Sequence, residues 1–169
     1  MASVDKNQAV IEFLLQCPYI KDNPLFFNFI NAKDNNKQVV TSGNDKVIDR
    51  PFIDGSVQKR YTFTIMDYKS VSYMAIAKII GSGTVDYYPD ENMEDILDTQ
   101  QIIDWITEQE NARNYPDFGE ECVIDDMRAL SDNPNLNTVD TSITPALAKY
   151  SISIQINYVD YTNLEWDNN

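Results

Sequence analysis

Two stretches in which apolar and polar side chains alternate constrain the fold of this chain most strongly. In the first, Tyr61, Phe63 and Ile65 alternate with polar or mixed residues. In the second, at residues 149–161, isoleucines and a tyrosine occupy every other position. An alternation of period two predicts β-strands whose apolar side chains share one face, and that face has to be covered. We therefore expect two long strands in an antiparallel or mixed β-sheet.

Two amphipathic stretches are the candidates for covering this face. The first begins near Ser3, the expected N-cap, and its apolar residues at helical spacing before Pro18 are Val10, Ile11, Leu14 and Leu15. The second is predicted at residues 91–109, and its apolar face comprises Met93, Ile96, Leu97, Ile103 and Ile106. This order of elements favours an α+β fold, a single domain over residues 1–169 with two main helices packed on one face of the sheet.

Weaker signals indicate the remaining elements. Further strands are predicted at residues 38–41 and 121–130, whereas residues 131–145 are predicted to be a loop because they are rich in Pro and Asn. Asp54 and Gly55 form a strong turn dipeptide just before the first long strand. This dipeptide predicts a tight turn in which Gly55 has a positive φ.

Charge is divided unevenly between the two halves of the chain. The 169 residues include 13 Lys plus Arg, 27 Asp plus Glu and no His, which gives a formal charge of −14. Residues 1–84 carry ten basic and eight acidic side chains, whereas residues 85–169 carry three and nineteen. Fourteen of these acids lie within residues 86–126, interleaved with apolar residues such as Trp105. We therefore expect this region to be folded, with its charge on one side.

The composition excludes several classes of protein. A strongly acidic surface repels phosphate, which disfavours nucleic-acid binding through a basic patch and binding to membrane surfaces. The lack of His removes Ser-His-Asp and Cys-His triads and the commonest transition-metal ligand. Cys17 and Cys122 lie in apolar surroundings and are expected to be buried thiols, not a disulfide. These features predict folding in a reducing cytoplasm, without a membrane partner.

Adjacent carboxylates do not by themselves indicate an active site here. Pairs such as Glu120-Glu121 and Asp125-Asp126 arise by chance among 27 acidic residues. Acid–base catalysis needs one carboxyl of raised pKa beside an ionised one in a cleft. We expect neither enzymatic activity nor a cofactor. Two other classes stay open: an acidic DNA mimic that inhibits a basic nucleic-acid-binding partner, and a small carboxylate-based hydrolase, for which the sequence offers no site.

One ordered set of motifs resembles a known family. Residues 51–56 (Pro-Phe-Ile-Asp-Gly-Ser) and 59–65 (Lys-Arg-Tyr-Thr-Phe-Thr-Ile) are similar to a strand-turn-strand of tail terminator proteins from long-tailed phages and prophages of Gram-positive bacteria. These proteins are also called tail-completion or minor capsid proteins. An amphipathic helix precedes this motif, and an acidic helix with residues 104–106 (Asp-Trp-Ile), then Pro116 and a final alternating strand follow it. The resemblance spans residues 4–161.

The resemblance implies a structural subunit of a virion tail, assembled in the host cytoplasm. By the family pattern, such subunits form a hexameric ring on the head-proximal end of the tail tube. The ring stops polymerisation of the tail tube protein and docks to the head-tail connector protein, with a sheath protein as a further partner where the tail is contractile. DNA is expected to pass through the lumen without specific binding.

Two sets of candidate site residues follow. Contacts between subunits or with the tube are expected at the hairpin, with its basic side chains facing acids of a neighbour, and its residues are Asp54, Gly55, Ser56, Lys59 and Arg60. The acids expected to line the lumen or to face a partner are Asp86, Asp90, Glu91, Glu94, Asp95, Asp98, Glu120, Glu121, Asp125 and Asp126. For the acids, the competing interpretation is that they solubilise the outer surface or meet a basic head connector.

Overall fold

The computed structural model describes residues 4–28, 33–34, 36–41, 46–47, 51–71, 77–79, 83, 85–87 and 91–162. At residues 46–47, 77–79, 85–87 and 91–95 this description covers the backbone alone. The elements are, in chain order, α1 (Lys6–Leu14), β1 (Leu25–Phe27), β2 (Lys37–Thr41), β3 (Lys46–Val47), β4 (Val57–Val71), β5 (Ala77–Ile79), β6 (Val85–Tyr87), α2 (Glu91–Asn111), β7 (Cys122–Ala129), β8 (Asn135–Asp140) and β9 (Ala146–Asp160).

Seven of the described strands form one mixed sheet around two long central strands. The strand order is β1-β2-β4-β9-β7, with β3 also paired to β4 and β8 also paired to β9. β4 and β9 pair antiparallel over all 15 residues, from Val57 opposite Asp160 to Val71 opposite Ala146. β1 runs parallel to β2, while β5 and β6 form a separate two-stranded sheet. The predicted α+β fold with a mixed sheet is confirmed.

The hydrophobic core lies on one face of this sheet. The buried side chains of the two central strands on this face are Tyr61, Phe63, Ile65, Ile152, Ile154, Ile156 and Tyr158. Both helices pack here and contribute Ala9, Val10, Phe13, Leu14, Ile102, Ile103, Trp105 and Ile106 to the same cluster. The rings of Phe13 and Trp105 join the helices, with centroids 5.0 Å apart. The prediction of two helices on one sheet face is therefore confirmed.

The buried stripe of α1 differs from the predicted one. Asp5 is the N-cap, and its side chain accepts hydrogen bonds from the backbone N–H of Asn7 at 2.9 Å and Gln8 at 3.4 Å. The predicted cap, Ser3, lies outside the described residues. Leu15 was wrongly placed in the core: it is the C-cap and 45% exposed, and Ile11 is half-buried. The reason is that the buried face of the helix is centred elsewhere, on Ala9, Val10, Phe13 and Leu14.

The first turns of α2 also depart from the prediction. Ile96 and Leu97 were expected in the core but are 40% and 61% exposed. Here the helix faces a polar part of the sheet, where the Thr99 hydroxyl donates to Asp67 Oδ2 at 2.8 Å and Asp98 Oδ2 lies 3.6 Å from Lys69 Nζ. Periodicity alone does not show that the sheet under this turn is polar. Met93 has no described side chain.

The predicted loop at residues 131–145 is wrong, because β8 lies within it. All six residues of β8 are exposed, and they pair with the first half of β9, from Asn135 opposite Ser151 to Asp140 opposite Leu147. A strand exposed on both sides has no need of alternating side chains. Its partner supplies the hydrogen bonds that hold it, so no local pattern marked it.

The two cysteines differ in burial. Cys17 is buried in the core, and burial is the main reason that the pKa of its thiol is raised. Cys122, at the start of β7, is half-buried. The expectation of a buried thiol is confirmed for Cys17 and is too strong for Cys122.

Candidate assembly surfaces

The predicted hairpin turn is formed and uses its polar residues internally. The Gly55 N–H donates to the Phe52 carbonyl at 3.0 Å, and Gly55 has a φ of 85°, as expected. Asp54 Oδ1 accepts from the Ser56 hydroxyl at 2.7 Å and from the Ser56 N–H at 3.0 Å. These two bonds, the hydroxyl bond first, lower the pKa of Asp54. Asp54 and Ser56 therefore hold the turn in shape.

The most exposed apolar side chains of this turn are ones that the site prediction left out. Phe52 is 47% exposed and Ile53 is fully exposed at 110%. Together with Val159 and Tyr161 they line an open groove of about 580 Å³. Two apolar residues directly before an Asp-Gly turn were the signal in the sequence, since a turn tip normally carries polar residues. The hairpin thus presents an apolar tip directly before the start of β4.

Lys59 and Arg60 point to opposite faces of the sheet, and both are bonded within their own chain. Lys59 Nζ lies 2.7 Å from Asp160 Oδ2. Arg60 Nε donates to Asn157 Oδ1 at 3.2 Å. Burial would raise the pKa of Asp160, but hydrogen bonds from Lys59 and Thr162 and the charge of Lys59 lower it to about 2. Both basic residues are part of the fold, and their contact with a neighbouring subunit stays a prediction.

The sheet face opposite the helices carries a network of polar side chains. Asn157 Nδ2 lies 3.0 Å from each carboxylate oxygen of Asp126. On the same face, between β4 and β9, the hydroxyls of Thr64 and Ser153 are 3.0 Å apart. Asn157 is only 8% exposed although neither helix packs on this face. The face is therefore polar, and several of its side chains are hydrogen-bonded to one another.

The candidate acids whose side chains are described do not gather on one surface. Asp98 is 60% exposed at the level where α2 meets Lys69 of β4. Glu120 and Glu121 are exposed directly before β7, which pairs with the opposite end of β9. Among the remaining acids, Asp125 is exposed and Asp126 half-buried. The side chains of Asp86, Glu91, Glu94 and Asp95, and the whole of Asp90, lie outside the described residues.

One part of the sheet edge is closed by side chains from the last turn of α2 and the residues that follow it. The Met127 N–H donates to Glu110 Oε2 at 2.7 Å, and an Arg113 guanidinium N–H donates to the Asp125 carbonyl at 3.0 Å. These backbone groups of β7 point away from β9, towards the helix end. Their hydrogen-bonding capacity is therefore filled, which prevents another strand from pairing there.

The neighbouring part of the same edge is open. In the described part of the chain, no helix side chain bonds to β8, and every residue of β8 is exposed. Leu136 is 56% exposed and Val139 is 37% exposed. On the far edge of the sheet, β1 is half-buried and has β2 as its one partner among the described strands. Among the described strands, the sheet thus has two open edges, β1 and β8, with different sequences.

A buried ion pair lies where β2, β4 and α2 meet. Lys37 Nζ is 3.1 Å from Asp67 Oδ1, and these side chains are 3% and 1% exposed. Asp67 also accepts the Thr99 hydroxyl bond described above. The charges compensate each other, so this cluster stabilises the fold and is not an anion site.

Comparisons with known proteins do not assign the chain: no protein-family model matches it, and no curated protein matches it. Among the side chains that the structure describes, no three or more Cys, Asp and Glu come together to hold a metal ion. None of the described helices is long and apolar enough to cross a membrane.

Proposed function

We propose that this protein is a tail terminator, a structural subunit that forms a ring on the head-proximal end of a phage tail tube. The observation that carries the proposal is that the described part of the chain leaves two unlike edges open, β1 and β8, on opposite sides of one sheet. Unlike surfaces associate head to tail, and such contacts close into a ring when the rotation between copies permits. A self-complementary dimer would instead use one surface twice.

The hairpin tip supplies the second contact that this function needs. β4 and β9 have 15 residues each, which corresponds to roughly 45–50 Å of extended chain. In a ring whose strands run along its axis, the apolar tip formed by Phe52 and Ile53 lies on one rim. From that rim it contacts the tail tube, which is one of the two contacts expected for this hairpin.

The polar sheet face suits the lumen of such a ring. The helices then lie outside, and the side chains of Thr64, Ser153, Asn157 and Asp126 point towards the DNA path. This face carries Arg60 and Arg128 as well as Asp126, since the two arginines align with Asn157 and Gln155 of β9, so its charges are of both signs. Asn157 engages the Arg60 guanidinium, which reduces its availability to a DNA phosphate. Among the candidate acids, Asp126 is bonded within this face and Asp98 lies on the helix side, so we assign a lumen role to Asp126 and none to Asp98.

The DNA-mimic alternative is less well supported. A mimic presents its carboxylates along one continuous surface, whereas Asp98 and the Glu120-Glu121 pair lie towards opposite ends of the sheet. In addition, Asp126 is bonded to Asn157. These acids do not reproduce the regular spacing of a phosphate backbone.

Size-exclusion chromatography with light scattering, combined with electron microscopy of tail tubes mixed with the protein, tests the proposal. We expect a closed oligomer, six copies by the family pattern, and one capped end on each tube. Ile53→Ser should reduce capping without changing the size of the ring, because Ile53 lies at the tip. A protein that stays monomeric at high concentration, leaves tube growth unchanged and binds a basic DNA-binding protein would overturn the proposal in favour of the mimic.

A further inference from the structure

The two open edges of the sheet lie at the same level along its strands. Through β2, Leu25 of β1 is aligned with Lys37 and then with Asp67 of β4. Through β9, Leu136 of β8 is aligned with Tyr150 and then with the same Asp67. A section through Asp67 therefore passes β1, β2, β4, β9 and β8 in turn, with an open edge at either end.

The two edge strands run in opposite directions. β1 is parallel to β2, and both β2 and β9 are antiparallel to β4, so β1 runs in the direction of β9. β8 is antiparallel to β9 and therefore runs against β1. When a second copy lies beside the first with its strands pointing the same way, its β1 meets the first copy's β8 as an antiparallel neighbour.

The side chains at this level match as well. Residues aligned across paired strands point to the same face, so Leu25 and Leu136 both lie on the face that the helices cover. Leu136 is 56% exposed and Leu25 is half-buried. Pairing between copies would set these leucines opposite each other and remove Leu136 from water.

Charge also favours β1 over a second β8 as the neighbour of β8. Residues 18–41, which include β1, carry three Lys and two Asp, but the buried Lys37 is compensated by Asp67, and the remaining two Lys and two Asp sum to a net charge of zero. Residues 130–145, which include β8, carry Asp132 and Asp140 and no basic residue, a net charge of −2. Two copies of the β8 edge would repel each other, whereas β1 offers β8 a neighbour without this repulsion.

We propose that β8 of one copy pairs with β1 of a second copy in an antiparallel register centred on Leu136 and Leu25. The sheet then continues from subunit to subunit around the ring. This inference rests on the ring of the proposed function and names the contact that closes it. β7 takes no part, because Glu110 and Arg113 occupy its outer edge.

Disulfide trapping tests the register directly. The double variant Leu25→Cys with Leu136→Cys, made with Cys122→Ser so that the buried Cys17 is the remaining native thiol, is oxidised with diamide. Non-reducing electrophoresis should show a ladder of covalent oligomers that ends at the size of the ring. The matched control is Leu25→Cys with Val123→Cys, because Val123 is 51% exposed but lies on the closed edge. It should give monomers.

A charge substitution provides the second measurement. Leu136→Glu should raise the protein concentration at half-assembly at least about tenfold, whereas Val123→Glu should leave it unchanged. Both residues are exposed, so the denaturant midpoint of the monomer should stay at the wild-type value for both variants.

The outcomes separate this inference from the proposed function. A ring that forms without the ladder and tolerates Leu136→Glu overturns the β8–β1 contact and leaves the terminator proposal standing. A ladder and a ring that do not cap tail tubes support the contact and overturn the proposed function. A ladder that stops at a dimer contradicts head-to-tail pairing, and a protein that never assembles overturns both.

Discussion

The two faces of the central sheet are built from the same two strands but are stabilised in different ways. On the helix-covered face, Phe63 and Ile154 are fully buried, and the ion pair between Lys37 and Asp67 lies buried further along the same face. On the opposite face, Thr64 and Ser153 hydrogen-bond to each other. Alternation therefore gives this sheet one face that is buried because it is apolar, and one that is sheltered while remaining polar. A polar face of this kind can line an assembly without forming an aggregation-prone apolar patch.

The largest difference between the faces should appear when a carboxylate is removed from each. Asp67→Ala leaves the Lys37 ammonium buried without its partner, so we expect a loss of about 3–5 kcal/mol in the free energy of unfolding. The control on the polar face is Asp126→Ala, which removes two hydrogen bonds to Asn157 and should cost about 1–2 kcal/mol. Urea unfolding measures both, and equal losses would contradict the contrast between the faces.

Adjacent residues of β9 allow the same comparison with smaller changes. Ile154→Ala opens a cavity in the core, and we expect it to cost about 2–4 kcal/mol. Ser153→Ala, one residue away on the polar face, removes the hydrogen bond to Thr64 and should cost about 1 kcal/mol or less. If both variants unfold at the wild-type denaturant midpoint, the assignment of Ile154 to the core is wrong.

Acid should weaken the protein through Asp160, at the end of the sheet. The pKa of Asp160 falls from 3.8 to about 2 on folding. A group with a lowered pKa stabilises the folded state above its unfolded pKa, and this contribution disappears as the pH falls from about 4 through about 2. We expect a contribution on the order of 1–2 kcal/mol, because the pair is partly screened by solvent. Lys59→Met should flatten the pH dependence of unfolding in this window, and an unchanged profile would rule out the ion pair as its cause.

The smallest effect is expected at the hairpin turn, which precedes β4 and belongs to neither face of the sheet. Gly55 has a φ of 85°, which a β-branched side chain adopts with strain, so Gly55→Val should cost about 1 kcal/mol or more. Ile53→Ser in the same turn should change the unfolding free energy by less than about 0.5 kcal/mol, since Ile53 is fully exposed. Thermal unfolding of the two variants side by side checks this, and equal melting temperatures would contradict it.

Local sequence patterns were sufficient to predict the features that depend on neighbouring residues alone. The alternation around Phe63 predicted β4, and the Asp54-Gly55 pair predicted the turn, because side-chain period and backbone φ depend on neighbouring residues. The same logic misplaced Ile96 and Leu97, since what α2 packs on is decided by Asp67 and Lys69 of a distant strand. The polar face followed from alternation too, but its bonds between Asn157 and Asp126 depend on the register of two separate strands.

The sequence by itself determined the two long strands, the turn, the two helices and an acidic second half. Only the tertiary structure decided that residues 135–140 form an edge strand and that β1 and β8 lie at one level on opposite sides of the sheet. The physical reason is that a strand edge is a property of pairing. Leu25 and Leu136 are far apart in the chain, and they come to the same level only because β4 and β9 pair along their whole length between them.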